Sequence, residues 1–274
     1  MRIRRGFAIA CALILALSAA GCASGPGPAT GDSRAAEAVG GTPSPGVQPS
    51  RAETQNPDAE RAKADMARFL RLVQARDAEG LLQFLKGTDF YADYKPEDAA
   101  KAIEGFEASF DLPSLTATLD ESGSSPGIRQ FAFKLADRNS GPSGSGTEGR
   151  EDWLRATVGY EADNGRPVVH HPLVRYYPYA EKMVRQYANL IADGKASELA
   201  RFLNADDLEV ADAVAEATIR TYRDRLDCAS LSVREDAPFA YTIEDRLRRV
   251  HSIEVVYGDG LMGIRDSYRP DFNG

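Results

Sequence analysis

Three histidines and a few recurring aromatic residues are the side chains of this 274-residue chain with the types to do chemistry. His170 and His171 are adjacent, and a shared metal or proton would need both rings on one side. Neighbours on a strand point to opposite faces, so the pair cannot close on one ion. His251 is the only other imidazole, and no spaced ligand set emerges. His251 alternates with Ile253 and Val255, so all three histidines read as strand residues. No G-x-S-x-G, P-loop, H-E-x-x-H or paired-cysteine pattern occurs. No catalytic set is assigned, and neither metal nor other cofactor is expected. The candidate pocket residues are instead aromatic: Trp153, Tyr160, Tyr257 and Tyr241. Trp153 is the single tryptophan and reads as a core or cavity-mouth residue, with Asp152-Trp153 starting a strand.

The amino terminus carries a different chemistry. Arg2, Arg4 and Arg5 precede an unbroken apolar run, Phe7 to Leu17, and then small residues lead to Cys22. A charged start, a short apolar stretch and a small-residue cleavage zone form an export signal over 1–21. Eleven apolar residues are too few to span a bilayer, which takes ~20. Ala19-Ala20-Gly21-Cys22 resembles the lipobox of bacterial lipoproteins, departing from it at Ala19, where the family more often has Leu. The resemblance implies that Cys22 is acylated and becomes the new first residue, so that the lipid bilayer is a partner and the chain sits on the extracytoplasmic side of a cell membrane. An ordinary signal cut elsewhere is the alternative. Arg4-Arg5-Gly6-Phe7 also resembles a twin-arginine export motif. Removing 1–21 takes three arginines and no acid, moving the formal charge from −8 to −11. Two or more acyl chains at ~0.8 kcal/mol per buried methylene would hold such an acidic body at the membrane. Cys11 leaves with the signal, and Cys228 reads as a buried, inert thiol.

Residues 22–58 hold that cysteine and a Gly-, Pro- and Ser-rich stretch without aromatics, which reads as a disordered tether. Beyond it the composition is that of a folded protein. The acidic balance excludes nucleic acid, since neutralising phosphates needs a basic face.

Two stretches of the folded part align. Residues 69–85 match 187–203, with Leu72/Leu190, Leu81/Leu199, Phe84/Phe202 and Leu85/Leu203 identical and Phe69/Tyr187 close. The match runs on in order: Ile103, Phe106 and Phe110 meet Ile219, Tyr222 and Leu226. Then 131–135 meets 239–243, Val158 and Tyr160 meet Val255 and Tyr257, and Tyr176 meets Tyr268. The offset shrinks most at the hairpins 121–127 and 139–149, where insertions are tolerated. The expected fold is therefore α+β, in two tandem repeats over 59–177 and 178–274. Each would have three helices followed by a curved antiparallel sheet of about four strands. Asn56 before Pro57, Asp77, Pro96 and Pro178 read as helix starts, and Asp206 with Glu209 as a capping box. Asn164-Gly165 and Gly258-Asp259-Gly260 read as hairpin turns.

This element order resembles the ketosteroid-isomerase/nuclear-transport-factor-like (SnoaL-like) superfamily, in tandem. The resemblance covers about 59–274 and implies two cones, each a sheet curled around an interior closed by helices. It assigns no catalytic residue. The chain thus reads as a non-catalytic envelope lipoprotein that binds an envelope protein or a small ligand. The alternative is a ligand-binding or isomerase/hydrolase-type site inside one cone. Arg220, Arg223 and Arg225, and Arg246, Arg248 and Arg249, are either solvated faces with nearby acids or a docking patch for an anionic polymer.

Overall fold

A computed structural model describes residues 56–139, 151–203, 208–258 and 260–270. The export signal, Cys22, the tether up to residue 55 and Asp206 of the capping box lie outside the described residues.

The first helix, α1 (Pro57–Gln74), begins as its sequence dictates: the Asn56 side chain accepts the Asp58 N–H at 3.0 Å, and Pro57 takes the first helical position. It buries Ala62, Met66, Phe69, Leu70 and Val73, an i, i+3, i+4 stripe. Asp77 caps α2 (Ala78–Leu85) through the Gly80 N–H at 2.8 Å. Pro96 opens α3 (Pro96–Ser109). Then follow β1 (Thr116–Ser125), β2 (Gln130–Ala136), β3 (Arg155–Tyr160) and β4 (Pro167–His170), each pairing antiparallel with the next. Residues 121–125 belong to β1, beyond a break in its register, so the hairpin expected at 121–127 is shorter. Trp153 lies in a 3₁₀ turn, Glu151–Leu154, ahead of β3 and not in a strand.

A short α4 (Pro172–Arg175) leads into α5 (Tyr177–Asp193), α6 (Ala196–Phe202) and α7 (Leu208–Arg225). Gly194 ends α5 at φ +70°, the left-handed cap that glycine adopts without strain. A second antiparallel meander completes the chain: β5 (Ser232–Ala237), β6 (Ala240–Glu244), β7 (Val250–Gly258) and β8 (Leu261–Arg265). The class is α+β, with seven helices and two four-stranded antiparallel sheets among the described residues.

The alternation along the strands decides what each sheet hides. Phe131, Phe133 and Leu135 turn inward beside Ala156 and Val158. In the second sheet Tyr241, Ile243, His251, Ile253, Val255 and Ile264 share the inner face. Each fully buried side chain of the size of Leu or Phe contributes about 1.5–3 kcal/mol, so these inner faces and the helix stripes over them supply the main driving force. Helix α5 packs against α3 and α4 of the first half and against α6, α7, β5 and β6 of the second, which makes it the joint of the described chain.

Candidate functional site

Three of the four candidate pocket residues converge at that joint, Tyr241 buried and Trp153 and Tyr257 partly buried against the core. Gly105 of α3 lets the Tyr177 ring lie against the helix; a Cβ there would stand 2.6 Å from the ring. Lys101, one turn earlier, sits over the same ring at 5.0 Å. The Tyr177 hydroxyl donates to Glu235 of β5, whose other oxygen accepts Lys101 Nζ at 2.8 Å. Next to this lies Phe239, in the two-residue turn between β5 and β6, held at φ +66°. A bulky residue rarely occupies that region. Its ring is enclosed by Trp153, Tyr177 and Tyr257, with centroids 4.9–5.9 Å away. Trp153 Nε1–H donates to the Tyr257 hydroxyl at 2.6 Å, and Tyr257 stacks on Tyr176. Tyr241 approaches from β6 and is buried, and its hydroxyl finds no hydrogen-bond partner among the described residues. Tyr160 is elsewhere: its hydroxyl donates to Asp65 of α1 at 2.9 Å, under the Arg61 and Arg129 guanidiniums.

The adjacent histidines separate as strand geometry requires. His170 ends β4 on the outer face, edge-on to Phe90. His171 turns inward, 2% exposed, and packs on Phe106 and Phe110. Its Nδ1 accepts the Leu173 N–H at 3.2 Å and so caps α4; its Nε2 lies 3.0 Å from the Trp153 carbonyl, to which it donates. Both ring nitrogens are thus committed to the neutral form. Burial holds this imidazole down at about 4, against the opposing pull of the Trp153 carbonyl.

The second sheet holds a group that no motif in the sequence marks. Asp266 follows β8 as His171 follows β4, and its side chain is fully buried. One carboxylate accepts four donors: His251 Nε2–H at 2.6 Å, the Tyr187 hydroxyl at 2.5 Å, the Tyr222 hydroxyl at 2.9 Å and the Tyr268 N–H at 2.7 Å. Burial pushes the Asp266 carboxyl up, but the hydrogen bonds from His251, Tyr187 and Tyr268 N–H outweigh it and hold it below the usual carboxylate range. Burial and the carboxylate drive the Tyr187 and Tyr222 hydroxyls far above the normal phenol range. The Tyr268 ring stacks on His251 at 3.5 Å, and Arg225 lies over Tyr268. Carboxylate, imidazole and phenols in this order could relay a proton. Here each of them is bonded within the fold, and Tyr268 covers the imidazole. One signal in the sequence pointed here: Tyr187 and Tyr222 stand where the aligned first stretch has Phe69 and Phe106.

Among the described residues no group of three or more His, Cys, Asp or Glu could hold a metal ion, and no helix is long and apolar enough to cross a membrane. The second arginine cluster is matched with acids: Arg246 with Asp227, Arg248 with Glu244, and Arg249 with the buried Asp245. Cys228 is only partly buried, not in the core as expected; partial burial still raises its thiol. Grooves open on the outside of the molecule. One of about 810 Å³ runs along α5 and carries charges of both signs, and one of about 430 Å³ lies between Phe90, α5 and the β7–β8 turn. Comparison with protein-family models, with curated proteins and with solved structures found no match.

Proposed function

We propose that the protein is a lipoprotein, anchored through acylated Cys22 on the extracytoplasmic side of a cell membrane. It presents two duplicated α+β domains, 59–177 and 178–274, as a non-catalytic binding module for an envelope protein or a small ligand. The observation that carries the binding half of this reading is that the two polar groups best suited to chemistry, His171 and Asp266, are satisfied inside the fold. His171 uses both ring nitrogens and Asp266 takes four donors inside the fold, whereas the grooves face outward at the joint. Duplication draws support from the helix–helix–helix–sheet order on either side of α4 and from the shared turn at His171 and Asp266. The anchoring half rests on the order Arg-rich start, apolar run, Ala-Ala-Gly-Cys and tether.

Labelling cells with a clickable palmitate and separating membranes tests the anchor. The native chain is expected to take label and sediment with membranes, and Cys22→Ala to lose both. Equal sedimentation of Cys22→Ala would overturn the anchor.

One observation favours a second reading, an acid–base site inside the second domain: the Asp266–His251 pair flanked by two phenols. It requires Tyr268 to swing away from His251. A Tyr268→Ala chain that leaves His251 as protected from diethyl pyrocarbonate as in the native protein would remove this reading.

A further inference from the structure

Among the described residues that line it, the groove of about 430 Å³ at the joint carries a single charge. Phe90, Tyr176, Tyr179, Met183 and Met262 supply its aromatic and thioether walls, and Leu261 stands 63% exposed at its rim. The charge is Arg175, the last residue of α4. Its guanidinium lies 4.4 Å from the Phe90 ring centroid and 5.1 Å from that of Tyr176. Flat guanidinium on aromatic faces is a favourable arrangement, worth about 0.5–2 kcal/mol. It fixes the orientation of the fork but leaves its N–H donors unused: Arg175 makes no hydrogen bond or ion pair among the described residues. On a chain of net charge −8, a half-buried cation that has no carboxylate partner among the described residues, set among rings, is an unmatched recognition element.

We infer that this groove binds a small apolar carboxylate, with the anionic head on the Arg175 fork and the apolar body against Tyr179, Met183 and Met262. The inference rests on the binding reading above and names its ligand class. Two features select a carboxylate. Its two oxygens match the parallel N–H pair of a guanidinium. Its single negative charge is neutralised by Arg175, whereas a phosphate monoester at about −1.5 to −2 would keep excess charge in an apolar groove.

The probe is 4-phenylbutyrate, with 4-phenylbutanamide as its uncharged isostere and 3-phenylpropyl phosphate as the anion control. Each is titrated into the full-length chain carrying Cys22→Ser, so that no lipid accompanies it. Ligand-observed NMR follows binding directly. Trp153 fluorescence follows it from the protein side, because Trp153 bonds Tyr257, which stacks on Tyr176 of the groove. The acid is expected to bind at least ten-fold more tightly than the amide and more tightly than the phosphate. Arg175→Gln should bring the acid down to the level of the amide. Leu261→Glu, at an exposed position where folding is not at stake, should weaken the acid at least ten-fold by setting a second carboxylate beside the fork. Equal binding of acid and amide, binding of neither, an acid preference that survives in Arg175→Gln, or a tighter phosphate would each overturn the assignment. The palmitate experiment reads a different residue, so failure of the anchor and failure of this ligand class are separable.

Discussion

The two sheets close over interiors of opposite character. Beneath the first, His171 is neutral and packs on Phe106 and Phe110, with Phe69 against Phe106. Beneath the second, the turn after the last strand presents an ionised Asp266 to Tyr187, Tyr222 and His251. Both side chains accept the N–H two residues further on, His171 at the start of α4 and Asp266 in the turn after β8. The difference teaches what a buried charge requires. Phe at both helix positions suffices beside an imidazole that is satisfied by two backbone groups. A carboxylate at that turn needs hydroxyls on both rings, because a buried charge without hydrogen bonds costs several kcal/mol.

The contrast breaks hardest at its centre. Asp266→Ala leaves two phenols and an imidazole without their acceptor, and is expected to cost about 3–5 kcal/mol in denaturant unfolding. Asp266→Asn, which keeps an acceptor, should cost less.

Titration separates the two interiors. His171 has a folded-state value of about 4 against 6.5 for the free side chain. The unfolded chain therefore takes the proton first, and stability falls as pH drops from about 6.5 to 4, by about 3 kcal/mol in total. Asp266 is depressed, so its contribution is present above the ordinary carboxylate value of 3.8 and is lost only as pH falls below it. Urea midpoints between pH 7 and 4 should slope in the native chain and slope less in His171→Gln, where burial of His170 still depresses its imidazole.

The hydroxyls come next. Tyr187→Phe and Tyr222→Phe each remove one donor from Asp266 and should cost about 1–2 kcal/mol, non-additively when combined. At the foot of the scale, Arg248→Ala removes an exposed pair with Glu244 and should change stability by less than about 0.5 kcal/mol.

The helices and strands were legible in the sequence where local rules act alone. Asn56-Pro57, Asp77 and Pro96 start helices because capping is settled within a few residues, and the strand faces follow from the period-2 pattern. Trp153 was misplaced by a few residues because a 3₁₀ turn precedes β3 and no periodicity marks it. Phe239 aligns with Phe131, which lies in β2. Phe239 itself sits in a turn at positive φ, where burial among Trp153, Tyr177 and Tyr257 overrides its local preference. The candidate site was only half visible. Trp153, Tyr257 and Tyr241 were singled out as recurring or unusual residues, and they meet at the joint. Asp266, Arg175 and Glu235 are ordinary surface types in sequence. Only long-range pairing, Asp266 with Tyr187 or Glu235 with Lys101, gives them their environment.

The central claim is that the buried polar groups of the second half hold the fold, while recognition belongs to the groove at the joint. Tyr222→Phe, measured once for unfolding free energy and once for 4-phenylbutyrate binding, tests it most directly. Expected is a loss of about 1–2 kcal/mol in stability with the preference for acid over amide unchanged. Undiminished stability together with a ten-fold loss of that preference would contradict it.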